Sequence, residues 1–148
     1  MIRPPEYENL IKSGAFAAVA ATQGAVGQYL KNASDYLEAA SSMDPSKPML
    51  AFTMAYEGFY CLVQGVLEFH TVRTKDAGRN LAIQRVAGDL KLSVGEFKLV
   101  TDAHSRRNGT TYTSPFPPVT KAEASALVSL LAKCLPLACG LTGTALVT

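Results

Sequence analysis

The sequence predicts an all-α fold, an up-and-down bundle of about five helices that forms a single domain over residues 1–148. The length lies within the usual range of one domain, and 48% apolar residues are enough to build a core. Alanine and aliphatic residues dominate and aromatic residues make up only 8%, a composition that suits closely packed helices better than sheets. Apolar residues recur at spacings of three and four, and no segment alternates convincingly as a strand would.

The first two helices are predicted within residues 4–40. Two prolines at the start of this range suit the first turn of a helix, because the first amides of a helix have no intrahelical acceptor. Ser13-Gly14 is expected to stop or bend this helix. The apolar spacing then predicts one long helix over residues 16–40, passing two glycines. Two prolines within residues 43–48 forbid its continuation.

The central helix is predicted over residues 49–70, where the hydrophobic periodicity is strongest and covers a broad face. Gly58 and Gly65 are seven residues apart and therefore share one side of this helix. Either they permit a neighbouring helix to pack closely, or they are accidental small residues. His70 is expected at the helix end, where the dipole favours a cation and the role is structural.

The second half of the chain predicts three further helices and a linker. One helix ends near residue 92, and Ser93 with Glu96 has the spacing of a capping box at the start of the next. A proline-containing linker follows over residues 113–118. Thr120 and Glu123 form a second capping box before the last helix. That helix is expected to kink or end near Pro136.

The distribution of charge is more informative than its sum. A net charge of +2 is too small to predict nucleic-acid binding, and residues 49–70 carry only Glu57 and Glu68. Residues 71–107 carry an excess of four positive charges, from eight basic and four acidic side chains. This excess is consistent with a solvated helical face or with a patch that binds phosphate.

The cysteines and apolar segments predict a cytoplasmic protein without a membrane anchor. Cys61, Cys134 and Cys139 are odd in number and have no nearby histidine, so neither a disulfide framework nor a zinc site is expected. The apolar run over residues 14–27 follows acidic residues, unlike a signal peptide. The uncharged tail after Lys133 has only 15 residues, fewer than the ~20 that span a bilayer.

Chemistry-bearing side chains are concentrated between His104 and Tyr112. Arg106 and Arg107 offer planar donors for phosphate oxygens, Asn108 offers amide donors and an acceptor, and Tyr112 offers a stacking face with a hydroxyl. The same residues also suit a helix end, with the arginines on the last carbonyls and Tyr112 packed. No motif for a metal or another cofactor is present, and none is expected to be bound.

The order of these features resembles the HEPN family, the higher eukaryotes and prokaryotes nucleotide-binding domains. The resemblance covers roughly residues 15–137. Its elements are the apolar helix with Ala55-Tyr56-Glu57-Gly58-Phe59-Tyr60, a helix that ends in Arg107-Asn108, an aromatic residue shortly after, the proline-containing linker and the capped last helix. It implies a HEPN-like bundle of four or five helices, commonly dimeric, with the Arg-Asn site near the dimer seam. Family members include metal-independent ribonucleases, often toxins, partners of small nucleotidyltransferases, and proteins that only bind nucleotides or RNA.

One departure from the family pattern determines the functional prediction. The ribonuclease form carries a histidine four to six residues after the arginine, but Tyr112 stands there and no histidine follows Asn108. An unperturbed tyrosine titrates near ~10 and replaces imidazole poorly in proton transfer. The sequence therefore predicts a non-catalytic module that binds RNA or a nucleotide through Arg106, Arg107, Asn108 and Tyr112.

Two alternatives remain open. The first is a metal-independent ribonuclease of a toxin-antitoxin type system, with His104 and Arg107 as its candidate catalytic residues. The second is a dimeric interaction protein that partners a nucleotidyltransferase and uses its arginines at a protein interface.

Overall fold

The computed structural model describes residues 3–75, 78–107 and 117–145, and it confirms that the protein is mostly helical. Two of the predicted site residues, Asn108 and Tyr112, lie outside the described residues, as does most of the linker. In chain order the elements are α1 (Pro5–Lys12), β1 (Phe16–Ala18), α2 (Ala25–Ser41), α3 (Pro48–Phe69), β2 (Val72–Thr74), α4 (Arg79–Asp89), α5 (Val94–Arg106) and α6 (Lys121–Thr142).

Helix α3 is the centre of the molecule. It packs mainly on α2 and α6, and α4 lies on it with α5 beyond. A Cβ atom at Gly58 would lie 2.8 Å from both Leu131 Cδ2 and Tyr36 Cβ, and one at Gly65 would lie 3.1 Å from Leu30 Cδ2. The two glycines therefore permit close packing of α3 on its neighbours, one of the two explanations that the sequence left open.

The prediction of one long helix over residues 16–40 is wrong in its first part. Residues 16–18 form β1, which pairs with β2 in antiparallel register, with Phe16 opposite Thr74 and Ala18 opposite Val72. Phe16 and Val72 are buried, and α2 begins only after Gly24 in a left-handed conformation. Backbone pairing and the burial of two side chains outweigh the weak helix propensity of an alanine-rich run. The prediction of no strands fails for the same reason.

The helix boundaries elsewhere follow the predicted signals. Both capping boxes are present: Ser93 Oγ accepts from the Glu96 amide at 3.1 Å, and Thr120 Oγ1 accepts from the Glu123 amide at 3.0 Å. Of the kink or end expected near Pro136, the end is wrong, because α6 continues to Thr142. Pro136 lies on the exposed side of the helix, so the carbonyl four residues earlier can be hydrated instead of bonded. The described residues contain six helices, which correspond to the six helical segments predicted in turn, whereas the total predicted for the bundle is about five.

Two helices, α3 and α6, have the length and hydropathy of a membrane span. Their most apolar windows are 61% and 39% buried within the protein. A core helix of a soluble protein meets the same criterion, so this observation is weak evidence for a membrane.

Candidate functional site

Three helices bring polar side chains together on one side of the molecule. Tyr56 and Glu57 come from the middle of α3, Arg79 from the first residue of α4, and His104 and Arg107 from the end of α5. His104 and Arg107 are three residues apart and so share one side of their helix turn. These five residues are called the α3–α5 cluster.

Glu57 is the common ion-pair partner of the two arginines in the cluster. Its Oε1 lies 2.7 Å from Arg107 Nε, which donates to it, and 3.8 Å from Arg79 Nη1. The side chains are 17% exposed for Arg107, 24% for Glu57 and 33% for Arg79. Two guanidinium groups therefore meet one carboxylate, which leaves one excess positive charge among the described groups of the cluster.

Aromatic rings support both guanidinium groups. The Cζ atom of Arg79 lies 3.9 Å from the centroid of the Tyr60 ring and 5.9 Å from that of Tyr56. The Cζ atom of Arg107 lies 5.4 Å from the Tyr56 centroid. Such contacts hold a guanidinium in place while its edge remains able to donate hydrogen bonds.

His104 is bound to the cluster through a buried tyrosine. Its Nδ1 lies 2.7 Å from the hydroxyl of Tyr56, a residue with no exposed surface. Burial raises the pKa of Tyr56, so its hydroxyl stays protonated. Burial and then the positive charges of Arg79 and Arg107 lower the pKa of His104. Near neutral pH both groups are therefore uncharged, and the phenol can donate to an unprotonated Nδ1 while Nε2 carries the imidazole proton.

The predicted site residues do not all lie together. Arg107 and His104 belong to the α3–α5 cluster, whereas Arg106 pairs with Glu123 of α6 at 2.6 Å and donates to the carbonyl of Pro118 at 2.6 Å. Its side chain is 17% exposed. Arg106 therefore joins the end of α5 to the start of α6.

Sequence reasoning did not identify Tyr56, Glu57 and Arg79 as site residues, because their proximity to Arg107 depends on the packing of three helices. One signal was present for Glu57, which is one of only two charged residues in a long apolar helix. A charge at such a position needs a partner, and the partner here is the pair of arginines.

A second polar group surrounds His70 and is called the N-terminal network. Tyr7 donates to Asp89 Oδ2 at 2.5 Å, and Arg85 pairs with Asp89 at 3.2 Å. The ring of His70 lies 4.3 Å from that of Tyr7, and the backbone carbonyl of His70 accepts from Arg3 at 2.8 Å. His70 caps α3 as predicted, but burial lowers its pKa, so the expected attraction of a cation to the helix dipole is not the reason.

Among the described residues, no three histidine, cysteine or acidic side chains lie close enough together to hold a metal ion. The three cysteines are reduced, and burial raises the pKa of Cys134 to about 12, which makes it a poor nucleophile. The chemistry that the α3–α5 cluster offers is thus hydrogen-bond donation and positive charge toward an anion, beside a neutral imidazole. No protein-family model, curated protein or solved structure matches this chain.

Proposed function

We propose that this chain is a HEPN-like module that binds RNA or a nucleotide through its phosphate groups, without cleaving them. The observation that carries the proposal is the meeting of Arg79 and Arg107 at the single carboxylate of Glu57. A pair of guanidinium groups of this kind, partly exposed and supported by aromatic rings, is what recognition of phosphate by arginine needs.

The proposed contacts follow from this geometry. Arg79 and Arg107 donate to phosphate oxygens, and Glu57 keeps the two guanidinium groups beside each other against their mutual repulsion. Asn108 follows Arg107 directly in the chain and Tyr112 comes five residues after it, and both are proposed to contact the sugar or base. Arg106 is excluded from these contacts, since its donors are directed at Glu123 and Pro118.

The test is the binding of a short single-stranded RNA, measured by fluorescence anisotropy over a range of salt concentrations. Arg79→Ala and Arg107→Ala are each expected to weaken binding by about tenfold and to lower the salt dependence by about one released counterion. Lys98→Ala is the matched control, because it removes one positive charge from an exposed position on α5. Equal losses in all three variants, or none, would refute the proposed contacts.

A second candidate, a metal-independent ribonuclease, is favoured by the hydrogen bond between Tyr56 and His104. In the tautomer whose Nδ1–H donates to the Tyr56 hydroxyl, Nε2 of His104 is the proton acceptor, and the two guanidinium groups stabilise a developing phosphorane charge. If this function holds, the protein cleaves RNA in the presence of a chelator, and His104→Ala abolishes cleavage but not binding. Binding without cleavage by the wild-type protein supports the first proposal.

A further inference from the structure

A small cavity lies along α3, C-terminal to the α3–α5 cluster. The cluster uses Tyr56 and Glu57 of this helix, and the cavity is lined by residues from Tyr60 to Glu68. Its volume is about 140 Å³, enough for several water molecules or one small planar ring system. It lies between α2, α3 and β2. Six of the lining residues carry polar groups: Tyr29, Tyr60, Gln64, Glu68, Arg73 and Thr74.

Glu68 is the residue of the cavity that most needs a further partner. It is only 5% exposed, and its Oε1 accepts from Arg73 Nε at 2.7 Å. Its Oε2 is buried and has no hydrogen-bond partner among the described residues. A buried carboxylate oxygen without a donor is costly. The last torsion of a glutamate is soft, so this carboxylate can turn to present either oxygen to a group in the cavity.

The charges around Glu68 indicate which donor would fit. Arg73 already compensates the negative charge of the carboxylate. A cationic ligand would therefore add an excess charge, whereas a neutral N–H group supplies the missing donor without one. Tyr29 and Tyr60 add aromatic rings to the wall, and the Gln64 amide can both donate and accept. A planar nitrogen heterocycle with an amino group meets all of these requirements.

Tyr60 connects the cavity to the proposed phosphate site. Its ring lines the cavity, and the guanidinium of Arg79 lies over the same ring at 3.9 Å. Two helical turns, about 12 Å along the axis, separate Tyr60 from Glu68. One ligand can thus place a ring beside Glu68 while an attached phosphate approaches Arg79.

We propose that this cavity, the Glu68 pocket, binds the nucleobase of the ligand and selects bases that carry an exocyclic amino group. This inference rests on the proposed function, which it deepens by naming the class of base. Glu68 accepts the amino N–H, and Tyr29 and Tyr60 contact the ring. Bases with a carbonyl or a hydrogen in place of that amino group offer Glu68 no amino donor and bind more weakly.

The test compares matched pairs that differ mainly in the amino group, cytidine 5′-monophosphate with uridine 5′-monophosphate and guanosine 5′-monophosphate with inosine 5′-monophosphate. Titration calorimetry on the full chain is expected to show about tenfold tighter binding of the amino-bearing member in at least one pair. Glu68→Gln is expected to remove that preference, and Glu38→Gln, at an exposed position of α2, to retain it. Equal affinity within both pairs would overturn the inference.

A second variant keeps the test decisive if Glu68→Gln does not fold. Tyr29 is only partly buried, and Tyr29→Ala is expected to weaken binding of the preferred base by about tenfold. Free cytidine and guanosine, which lack phosphate, separate this inference from the proposed function. Their binding must persist in Arg79→Ala if the pocket holds the base, even if phosphate binding at Arg79 and Arg107 is refuted. No nucleoside binding by the wild-type protein at 10 mM, on the order of the weakest specific affinities, would overturn the pocket proposal alone.

Discussion

The α3–α5 cluster and the N-terminal network are built from the same kinds of side chain and differ in charge balance and burial. Each contains a fully buried tyrosine, a histidine with a lowered pKa, at least one arginine and one central carboxylate. In the network, Arg85 pairs with Asp89, which also accepts from Tyr7, and Arg3 pairs with Glu8, so two arginines meet two carboxylates. In the cluster, two arginines meet one carboxylate. Under the proposed function, the network supports the fold, whereas the cluster, in which two arginines meet one carboxylate, is the binding surface.

Substitution of the two central carboxylates, Asp89 and Glu57, should give the largest difference in stability between the two regions. Asp89→Asn removes the negative charge that pairs with Arg85 and leaves one acceptor oxygen where Tyr7 and Arg85 use two, so it is expected to lower the free energy of unfolding by about 3 kcal/mol. Glu57→Gln should cost about 1 kcal/mol and weaken RNA binding, because it removes the charge that holds Arg79 and Arg107 beside each other. Urea denaturation and anisotropy measure the two effects. A larger stability loss in Glu57→Gln than in Asp89→Asn would contradict the comparison.

Removal of the hydroxyl group from the two buried tyrosines, Tyr7 and Tyr56, should give a smaller difference in stability. Tyr7→Phe loses a hydrogen bond to a charged acceptor and is expected to destabilise the protein by about 2 kcal/mol. Tyr56→Phe loses a bond between neutral groups and should cost about 1 kcal/mol. The same denaturation experiment tests both, with Tyr36→Phe on the exposed side of α2 as the control. An equal loss at positions 7 and 56 would mean that the charge of the acceptor does not matter.

The histidines predict a loss of stability in acid. Burial lowers the pKa of both His70 and His104, so below about 6.5 the unfolded chain binds more protons than the folded one. The unprotonated histidines therefore contribute to the free energy of unfolding above about pH 6.5. This contribution is lost as the pH falls through the lowered pKa values of His70 and His104. The midpoint of thermal unfolding should therefore fall between pH 7 and pH 5, and less so in a variant with both histidines replaced by glutamine.

The pH dependence of RNA binding should show a smaller effect, which distinguishes His104 from His70. Protonation of His104 adds positive charge beside the proposed phosphate site, so RNA binding should tighten a few-fold from pH 7 to pH 5. His104→Gln should remove this pH dependence, while His70→Gln should retain it, because His70 lies in the charge-balanced network. If His70→Gln removes the pH dependence of RNA binding and His104→Gln retains it, the RNA does not bind beside His104.

The sequence predicts secondary structure correctly where the relevant residues are close together in the chain. Proline at a helix start, the two capping boxes and the periodicity of α3 depend on residues within one or two turns of each other, and all of these predictions are confirmed. The pairing of β1 with β2 depends on residues 54 to 58 positions apart, and the cluster also depends on distant residues, since Glu57 contacts Arg107 across 50 positions. Hydrophobic spacing carries no information on such contacts, which is why β1 was mistaken for helix and Arg79 was missed. The HEPN resemblance and the proposed binding remain predictions.

The two acidic residues of α3 also define a distance. Glu57 and Glu68 are eleven residues apart, close to three full turns, so they lie on nearly the same side of the helix and about 16 Å apart along its axis. A rigid helix keeps this spacing fixed, and a ligand that engages both ends must match it. If the proposed function holds, the length of an oligonucleotide, and not only its charge, is therefore a property that α3 selects.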